Sequence, residues 1–189
     1  MIVALSGTPG TGKTSVADHL SSFYEVRSVS DLAKKMDCIL DEEDENGKVL
    51  VIDTECLSKK ISSFRGKYKD EVLVIEGHLA HLLPSDVIIV LRCNPIKLKE
   101  RLSKKEWTTE KVLENVEAEL LDVILVEALE TSNNVYEIDT SDKTIKKVSE
   151  IVVEIIEVVK RGKELKNFKP GKIDWIAEVG EKVDEITRA

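Results

Sequence analysis

The sequence contains no glutamine, and aromatic residues make up only 4% of its 189 residues. Val, Ile and Leu must therefore fill most of a hydrophobic core. Charged residues reach 34%, and Lys and Glu are common among them. A composition poor in thermolabile amides and rich in charge is typical of proteins adapted to heat, in which ion-pair networks contribute to stability.

Cysteine is also scarce. The three residues, Cys38, Cys56 and Cys93, are odd in number, widely spaced and form no CxxC pair. This spacing argues against a disulfide or zinc framework and favours a reducing cytoplasm as the location. The opening run MIVALSG is too short for a signal peptide and has no basic start. No stretch approaches the roughly 20 apolar residues of a membrane span, so we expect no membrane partner.

The chain has no evident basic patch. Its net charge is −8, with an isoelectric point near 5.1. Proteins that grip a phosphodiester backbone need clustered Lys and Arg, so strong direct binding of nucleic acid is not expected. The acidic excess suits a basic protein partner, but solubility alone is the favoured explanation.

Short apolar runs alternate with amphipathic stretches, which predicts an α/β protein with a parallel sheet. We expect five strands, at residues 2–6, 24–29, 71–76, 86–91 and 135–138. Helices are predicted at 13–22, 31–36 with Ser30 as its cap, 55–64, 95–105, 108–130 and 144–161. These elements give a doubly wound domain over residues 1–162. Residues 163–189 are expected to be a polar tail with one short helix.

One motif carries specific chemistry. Residues 7–14, GTPGTGKT, match G-x-x-x-x-G-K-[ST] in full, after an apolar strand and at the start of a helix. Glycines such as Gly10 and Gly12 let the backbone N–H groups point at phosphates, and the helix N-terminus adds partial positive charge. Lys13 would reach the β- and γ-phosphates, Thr14 would supply a hydroxyl to Mg²⁺, and Ser15 would bond the α-phosphate. The motif predicts a P-loop that binds ATP with Mg²⁺.

Phosphoryl transfer also requires a carboxylate near the metal and cations outside the loop. Glu76 closes a buried strand and is the candidate second metal ligand. His78 follows it, and either positions a hydroxyl or water beside the γ-phosphate or has a structural role. Arg92 and Arg101, with Lys104 and Lys105, follow the next strand and form either a phosphate-facing group or a solvated basic face.

Further blocks in fixed order complete a resemblance to a known family: SDLAKK, VLVIDTECL, VIEGHLAHLLP, VLR, ERL and ENVEAEL. Over roughly residues 1–160 the chain resembles adenylate kinase isoenzyme 6, the CINAP-type nuclear ATPases and their archaeal relatives. Three positions depart from the family pattern. Glu76 replaces an Asp, Lys105 replaces a lid Arg, and Glu106-Trp107 replaces a Gly-Tyr pair.

The resemblance implies a P-loop NTPase fold of the nucleoside monophosphate kinase type. The region 28–51, with Asp31 and Lys34, would frame the acceptor nucleotide, AMP by preference, and Arg92 would contact it. Residues 104–114 would form the lid. Lys13, Glu76, His78 and Arg101 would carry the transfer, and Lys105 would contact ATP.

The family also implies ATPase activity and a role in small ribosomal subunit maturation through the ribosomal protein uS11. The chain is therefore predicted to be an ATP-dependent nucleoside monophosphate kinase. The alternative is an ATP-driven assembly factor that escorts uS11 with little kinase activity. A kinase for a small metabolite is a third and less favoured interpretation.

Overall fold

The computed structural model describes residues 1–41, 50–68 and 71–188. The strands are β1 (Ile2–Ser6), β2 (Glu25–Ser28), β3 (Ile39–Asp41), β4 (Val51–Ile52), β5 (Leu73–Glu76), β6 (Val87–Arg92) and β7 (Val135–Asp139). The helices are α1 (Lys13–Leu20), α2 (Val29–Lys35), α3 (Thr54–Phe64), α4 (Pro95–Leu102), α5 (Thr109–Leu120), α6 (Val123–Thr131), α7 (Ile145–Lys160), α8 (Trp175–Val179) and α9 (Val183–Thr187).

The central sheet has five parallel strands in the order β2-β5-β1-β6-β7, which confirms the predicted sheet. Every residue of β1 and β6 is buried, as continuous apolar runs covered on both faces should be. Leu5 and Ser28 both pair with Glu76 in the register. The carboxyl ends of β2, β5 and β1 therefore lie side by side at one edge of the sheet.

Helices cover both faces of the sheet, as the prediction of a doubly wound fold requires. On one face, Leu57 and Ile61 of α3 and Ala128 of α6 belong to one core cluster. On the other face, Leu20 of α1 and Ile155 of α7 belong to a second. The fold is thus a three-layer α/β arrangement, and ligands in such sheets bind outside the carboxyl ends of the strands.

Two predicted helices differ from the structure in their N-terminal cap or their continuity. Helix α2 begins at Val29, and its cap is Ser28 rather than Ser30, because Ser28 Oγ accepts the Asp31 N–H at 3.0 Å. The long helix predicted over 108–130 is broken at Asp122, whose φ is 57°. Asp is among the few residues that adopt this left-handed conformation readily. The break separates α5 from α6.

The C-terminal segment forms two short helices where the sequence indicated one. Apolar residues of both helices, Trp175, Val179 and Ile186, are buried in a third cluster with residues of α4 and α5. Within the described residues, the segment after 163 is thus a packed element and not only a polar tail.

A disulfide joins Cys38 and Cys56, whose Cα atoms are 5.7 Å apart, and this corrects the expectation of free cysteines. The pair is 18 residues apart in sequence, but the β3–β4 hairpin returns the chain. Intracellular proteins of hyperthermophilic archaea are rich in disulfides, so the bond agrees with the heat-adapted composition. Cys93 is a buried thiol, and burial raises its pKa to about 11. No helix in the described part of the chain is long and apolar enough to cross a membrane.

Candidate functional site

The P-loop lies between β1 and α1, at the edge where the strands end. Gly12 has a φ of 97° and stands at the N-cap of α1. A Cβ at Gly10, whose φ is 92°, would lie 2.8 Å from side-chain carbons of Leu98 and Leu102 in α4. Both conformations favour glycine. The first turn of α1 holds no acidic residue, so its N-terminus keeps the partial positive charge that attracts anions.

Lys13 is buried beneath this loop, and its ammonium donates to the Thr8 carbonyl at 3.0 Å. Desolvation lowers the pKa of Lys13 to about 8, although the carboxylates of Glu76 and Glu119 oppose the change. Lys105 lowers it further. The ammonium therefore lacks compensating negative charge, which an anionic phosphate group would provide.

Glu76 and Thr14, the two predicted metal ligands, lie together. Both line the same cavity, and the Thr14 side chain is near enough to lower the pKa of Glu76. Burial raises the pKa of Glu76; Lys13 opposes this, and the neighbouring carboxylates of Asp18 and Asp31 add to it. A hydroxyl and a carboxylate are the oxygen donors that Mg²⁺ prefers, and Mg²⁺ in such sites shares its remaining positions with water and phosphate. The described residues contain no cluster of three or more His, Cys, Asp or Glu that could hold a metal by itself.

A cavity of about 850 Å³ opens beside these groups. It brings together most of the predicted site residues: Gly10, Gly12, Lys13, Thr14, Ser15, Glu76, His78, Arg101 and Lys105. His78 keeps contact with solvent. Partial desolvation, followed by the charges of Lys13 and His81, lowers its pKa. A mainly neutral imidazole thus faces the position where phosphates would lie.

The predicted lid contributes the far wall of the cavity. The Trp107 ring lies between two ammonium groups, with Lys105 Nζ 4.6 Å and Lys111 Nζ 5.0 Å from its centroid. Lys111 and Asn115 line the cavity but were not predicted as site residues. Asn115 follows Lys111 by four residues and Ala118 follows Asn115 by three, so all three lie on one face of α5. That helical periodicity is the signal that could have identified them.

Arg101 lies between this cavity and a second one of about 330 Å³. Its guanidinium donates to the Thr140 and Ser141 carbonyls, each at 3.1 Å, and to the Gly10 carbonyl at 3.4 Å. Arg101 therefore fastens the P-loop to the loop after β7. Lys143 lines the second cavity as well.

The predicted acceptor region contributes different residues from those expected. Asp31 and Lys34 are exposed on α2 and do not line the cavity, although Asp31 is near enough to influence Glu76. Val29 and Ser30 line it instead, as do Leu50 and Ile52 on the hairpin side. Most of the acidic loop at 41–47 lies outside the described residues.

The structure corrects the role predicted for Arg92. All six residues of β6 are buried, and Arg92 is 1% exposed. Its Nε donates to Glu119 at 2.8 Å, and its terminal nitrogens donate to Glu137 at 3.3 Å and to Asp122. Arg92 is thus enclosed by carboxylates and has no access to the cavity. The sequence alone suggests that Arg92 is free to contact substrate, because its carboxylate partners are 27 to 45 residues away in the chain.

His81 connects two elements of the fold. Its ring lies 2.9 Å from Ser6 Oγ through Nδ1 and 2.8 Å from Glu127 through Nε2. The side chain is buried, so it joins β1 to α6.

The chain is similar to known proteins in sequence and in fold. A family model described as "AAA domain" matches residues 3–122. An Archaeoglobus fulgidus protein named "Putative adenylate kinase" is 50% identical over 191 residues, covering 100% of this chain and 99% of its own length. A Methanocaldococcus jannaschii protein of the same name is 42% identical, covering 93% of each chain.

Solved structures resemble the fold at low identity. A thymidylate kinase from Candida albicans has a TM-score of 0.52 at 14% identity, covering 85% of this chain and 92% of its own. The YorR protein of Bacillus subtilis, solved with phosphorylated GDP, has a TM-score of 0.56 at 15% identity, covering 85% and 98%. These likenesses support the fold class alone.

Proposed function

We propose that this chain transfers the γ-phosphoryl group of ATP to a nucleoside monophosphate, AMP by preference. The chain belongs to the AAA-domain family and to the family of archaeal proteins named "Putative adenylate kinase". One observation carries the proposal. A buried, under-compensated Lys13 and the Thr14–Glu76 pair face a cavity of about 850 Å³, which has room for a second nucleotide beside the phosphates of the first. The names of the relatives point to the same activity.

In the proposed reaction, each of the two cavities would hold a different part of the substrates. The phosphates of ATP would lie on the loop, with the γ-phosphate toward Lys13. Its nucleoside would extend into the 330 Å³ cavity between Arg101 and Lys143. The acceptor would occupy the larger cavity between α2, the hairpin and α5. In this proposed arrangement the acceptor phosphate would lie beside the γ-phosphate, as in-line transfer requires.

In the transfer, the bond from the γ-phosphorus to the ADP oxygen breaks and a bond to an acceptor phosphate oxygen forms. Negative charge develops on the peripheral oxygens, and fixed cations stabilise it. Lys13 would supply one positive charge from the P-loop side, and Lys105 and Lys111 would supply two more from the lid. Mg²⁺, held by Thr14 and Glu76, would neutralise phosphate charge. His78 would orient the acceptor.

The proposal includes a side reaction. The cavity is open to solvent, and in an open state water can replace the acceptor. Hydrolysis of ATP without AMP is therefore expected at a lower rate, because water exclusion depends on lid closure. The cytoplasm, where both nucleotides occur, is the proposed location.

The test is a product count. Pure protein is mixed with MgATP, with and without AMP, and ADP and free phosphate are measured separately. A kinase gives about two ADP per ATP consumed, which is the stoichiometry of the reaction, with little phosphate. Lys13→Ala, with unchanged circular dichroism, should abolish turnover. A wild-type protein silent toward all common monophosphates would refute the kinase proposal.

The alternative, an ATP-driven assembly factor that escorts uS11, stays a prediction from the resemblance. The acidic loop that motivated it lies largely outside the described residues. A pull-down at moderate salt that enriched uS11 over unrelated basic proteins would support it, and phosphate release unaffected by AMP would favour it over the kinase.

A further inference from the structure

Glu119 is a buried carboxylate of α5 that accepts four hydrogen bonds. Its Oε1 accepts from Arg92 Nε at 2.8 Å, from the Cys93 N–H at 3.1 Å and from Trp175 Nε1 at 2.9 Å. Its Oε2 accepts from Thr8 Oγ1 at 2.5 Å. Three donors thus fix one oxygen, and this directs the other at the P-loop.

Thr8 is the P-loop residue that receives this contact, and it also organises the loop. Its carbonyl accepts from Lys13 Nζ at 3.0 Å, from Thr11 Oγ1 at 2.8 Å and from the Thr11 N–H at 3.2 Å. The orientation of the Thr8 peptide therefore determines where the Lys13 ammonium lies. Glu119 holds the side chain of the same residue.

The remaining donor to Glu119 comes from the far end of the chain. Trp175 is 2% exposed and opens α8, and its ring also lies 5.7 Å from the Arg92 guanidinium carbon. Helix α8 is anchored independently, because Asn94 Nδ2 donates to Glu178 at 2.8 Å. Val179 adds apolar contact in the cluster shared with α4 and α5.

We infer that Trp175 is a positioning residue for the nucleotide site: its indole N–H orients Glu119, which holds Thr8 and so sets the P-loop and Lys13 for phosphate. The C-terminal segment would then determine nucleotide affinity although it does not line the cavity. The inference rests on the proposed nucleotide site, but it needs only binding and not phosphoryl transfer.

The experiment measures the dissociation constant of MgADP by calorimetry for the wild type and three variants. Trp175→Phe removes the indole donor and Thr8→Val removes the hydroxyl, and the double variant removes both. Each single change should weaken binding roughly twofold to thirtyfold, the range for residues that act on a site through others. Because both act through one carboxylate, the double variant should be little weaker than the worse single variant.

Two controls separate positioning from stability. Thr8→Ser keeps the hydroxyl and should restore wild-type affinity. Val179→Ala removes packing from the same helix without touching Glu119, so it should lower the melting temperature and leave MgADP affinity unchanged.

Three outcomes overturn the inference. The first is a Trp175→Phe protein that melts earlier but binds MgADP like the wild type. The second is a double variant whose loss equals the product of the single losses. The third is a Val179→Ala protein that binds as weakly as Trp175→Phe. A wild-type protein that does not bind MgADP would overturn the proposed function as well, which distinguishes the two failures.

A second measurement needs no substitution at Trp175. The chain has two tryptophans, so a proton–nitrogen spectrum contains two indole signals, and Trp107→Phe identifies which is which. MgADP should shift the Trp175 signal in the wild type and not in Thr8→Val. A Trp175 signal that ignores MgADP in the wild type would contradict the inference.

Discussion

The depressed pKa of Lys13 predicts an opposite effect of pH on stability and on nucleotide affinity. The side chain is 9% exposed, and its pKa falls from an ordinary value of 10.5 to about 8, chiefly through desolvation. At 1.36 kcal/mol per pKa unit, carrying this charge costs the empty protein about 3 kcal/mol at neutral pH. Because the unfolded chain holds the proton up to 10.5, the contribution of Lys13 to the free energy of unfolding should rise between pH 8 and 10.5. It is measured as the difference between the wild type and Lys13→Met, because the raised pKa of the Cys93 thiol, about 11, acts in the opposite direction in both proteins.

Nucleotide affinity should move the other way. A bound phosphate favours the charged ammonium, so MgADP binding above pH 8 must include uptake of a proton. With a pKa of about 8, the free protein at pH 9 is mostly neutral at Lys13, and binding should take up about 0.9 proton and weaken about tenfold relative to pH 7. Calorimetry in buffers of different ionisation heat measures the uptake directly.

Other charged groups lie near Lys13, and their effects on proton uptake can be separated from its own. The charges of Glu76, Glu119 and Lys105 act on it, and His78 lies close enough to be affected by it. Desolvation lowers the pKa of His78 and so moves its titration further from this range. Lys105→Met tests the remaining lysine and should retain the uptake, whereas Lys13→Met should lose both the uptake and the Lys13 contribution to stability between pH 8 and 10.5. Binding without proton uptake at pH 9 would refute the reasoning.

Three further predictions concern the scaffold of the site. Removing the disulfide, by Cys38→Ser with Cys56→Ser or by reduction, should lower the free energy of unfolding by roughly 3 kcal/mol, since the bond closes an 18-residue separation. Urea titration measures this change, and equal stability after reduction would contradict the prediction. Arg92→Met leaves two buried carboxylates without their cation and should destabilise the folded protein by about 3–5 kcal/mol. A variant of unchanged stability with only a raised KM for AMP would instead support the substrate role predicted for Arg92. Gly10→Ala should abolish MgADP binding, because its Cβ would meet α4 side chains at 2.8 Å; calorimetry showing wild-type affinity would be the contrary result.

The sequence was sufficient for the parts of the molecule determined by local pattern. Continuous apolar runs identified the strands, and residues 7–14 predicted a phosphate-binding loop that lies beside the large cavity, since both depend on neighbours in the chain. Glu76 was predicted by the same logic, because a polar residue that closes a buried strand lies at the edge where ligands bind, and it lines the same cavity.

Residues whose partners are distant in sequence could not be assigned in this way. Arg92 looked like a cation available to substrate, because its carboxylate partners come from three later elements. Glu119 was not singled out from the sequence, although it follows Val112 and Val116 on the buried stripe of α5, where a lone carboxylate indicates a buried partner. The Cys38–Cys56 bond depended on a hairpin that the spacing of cysteines does not reveal.

The two ionisable groups at the centre of the site are perturbed in a complementary way. Desolvation lowers the pKa of Lys13 and raises that of Glu76, so the empty protein disfavours the charged form of both. A phosphate would compensate the first, and a divalent cation held with Thr14 would compensate the second. In the proposed site, nucleotide and metal would carry opposite charges and lie side by side, so each arriving alone would leave one cost in place. The proposal therefore predicts that the metal–nucleotide complex binds as a single ligand, which is the form in which ATP takes part in phosphoryl transfer.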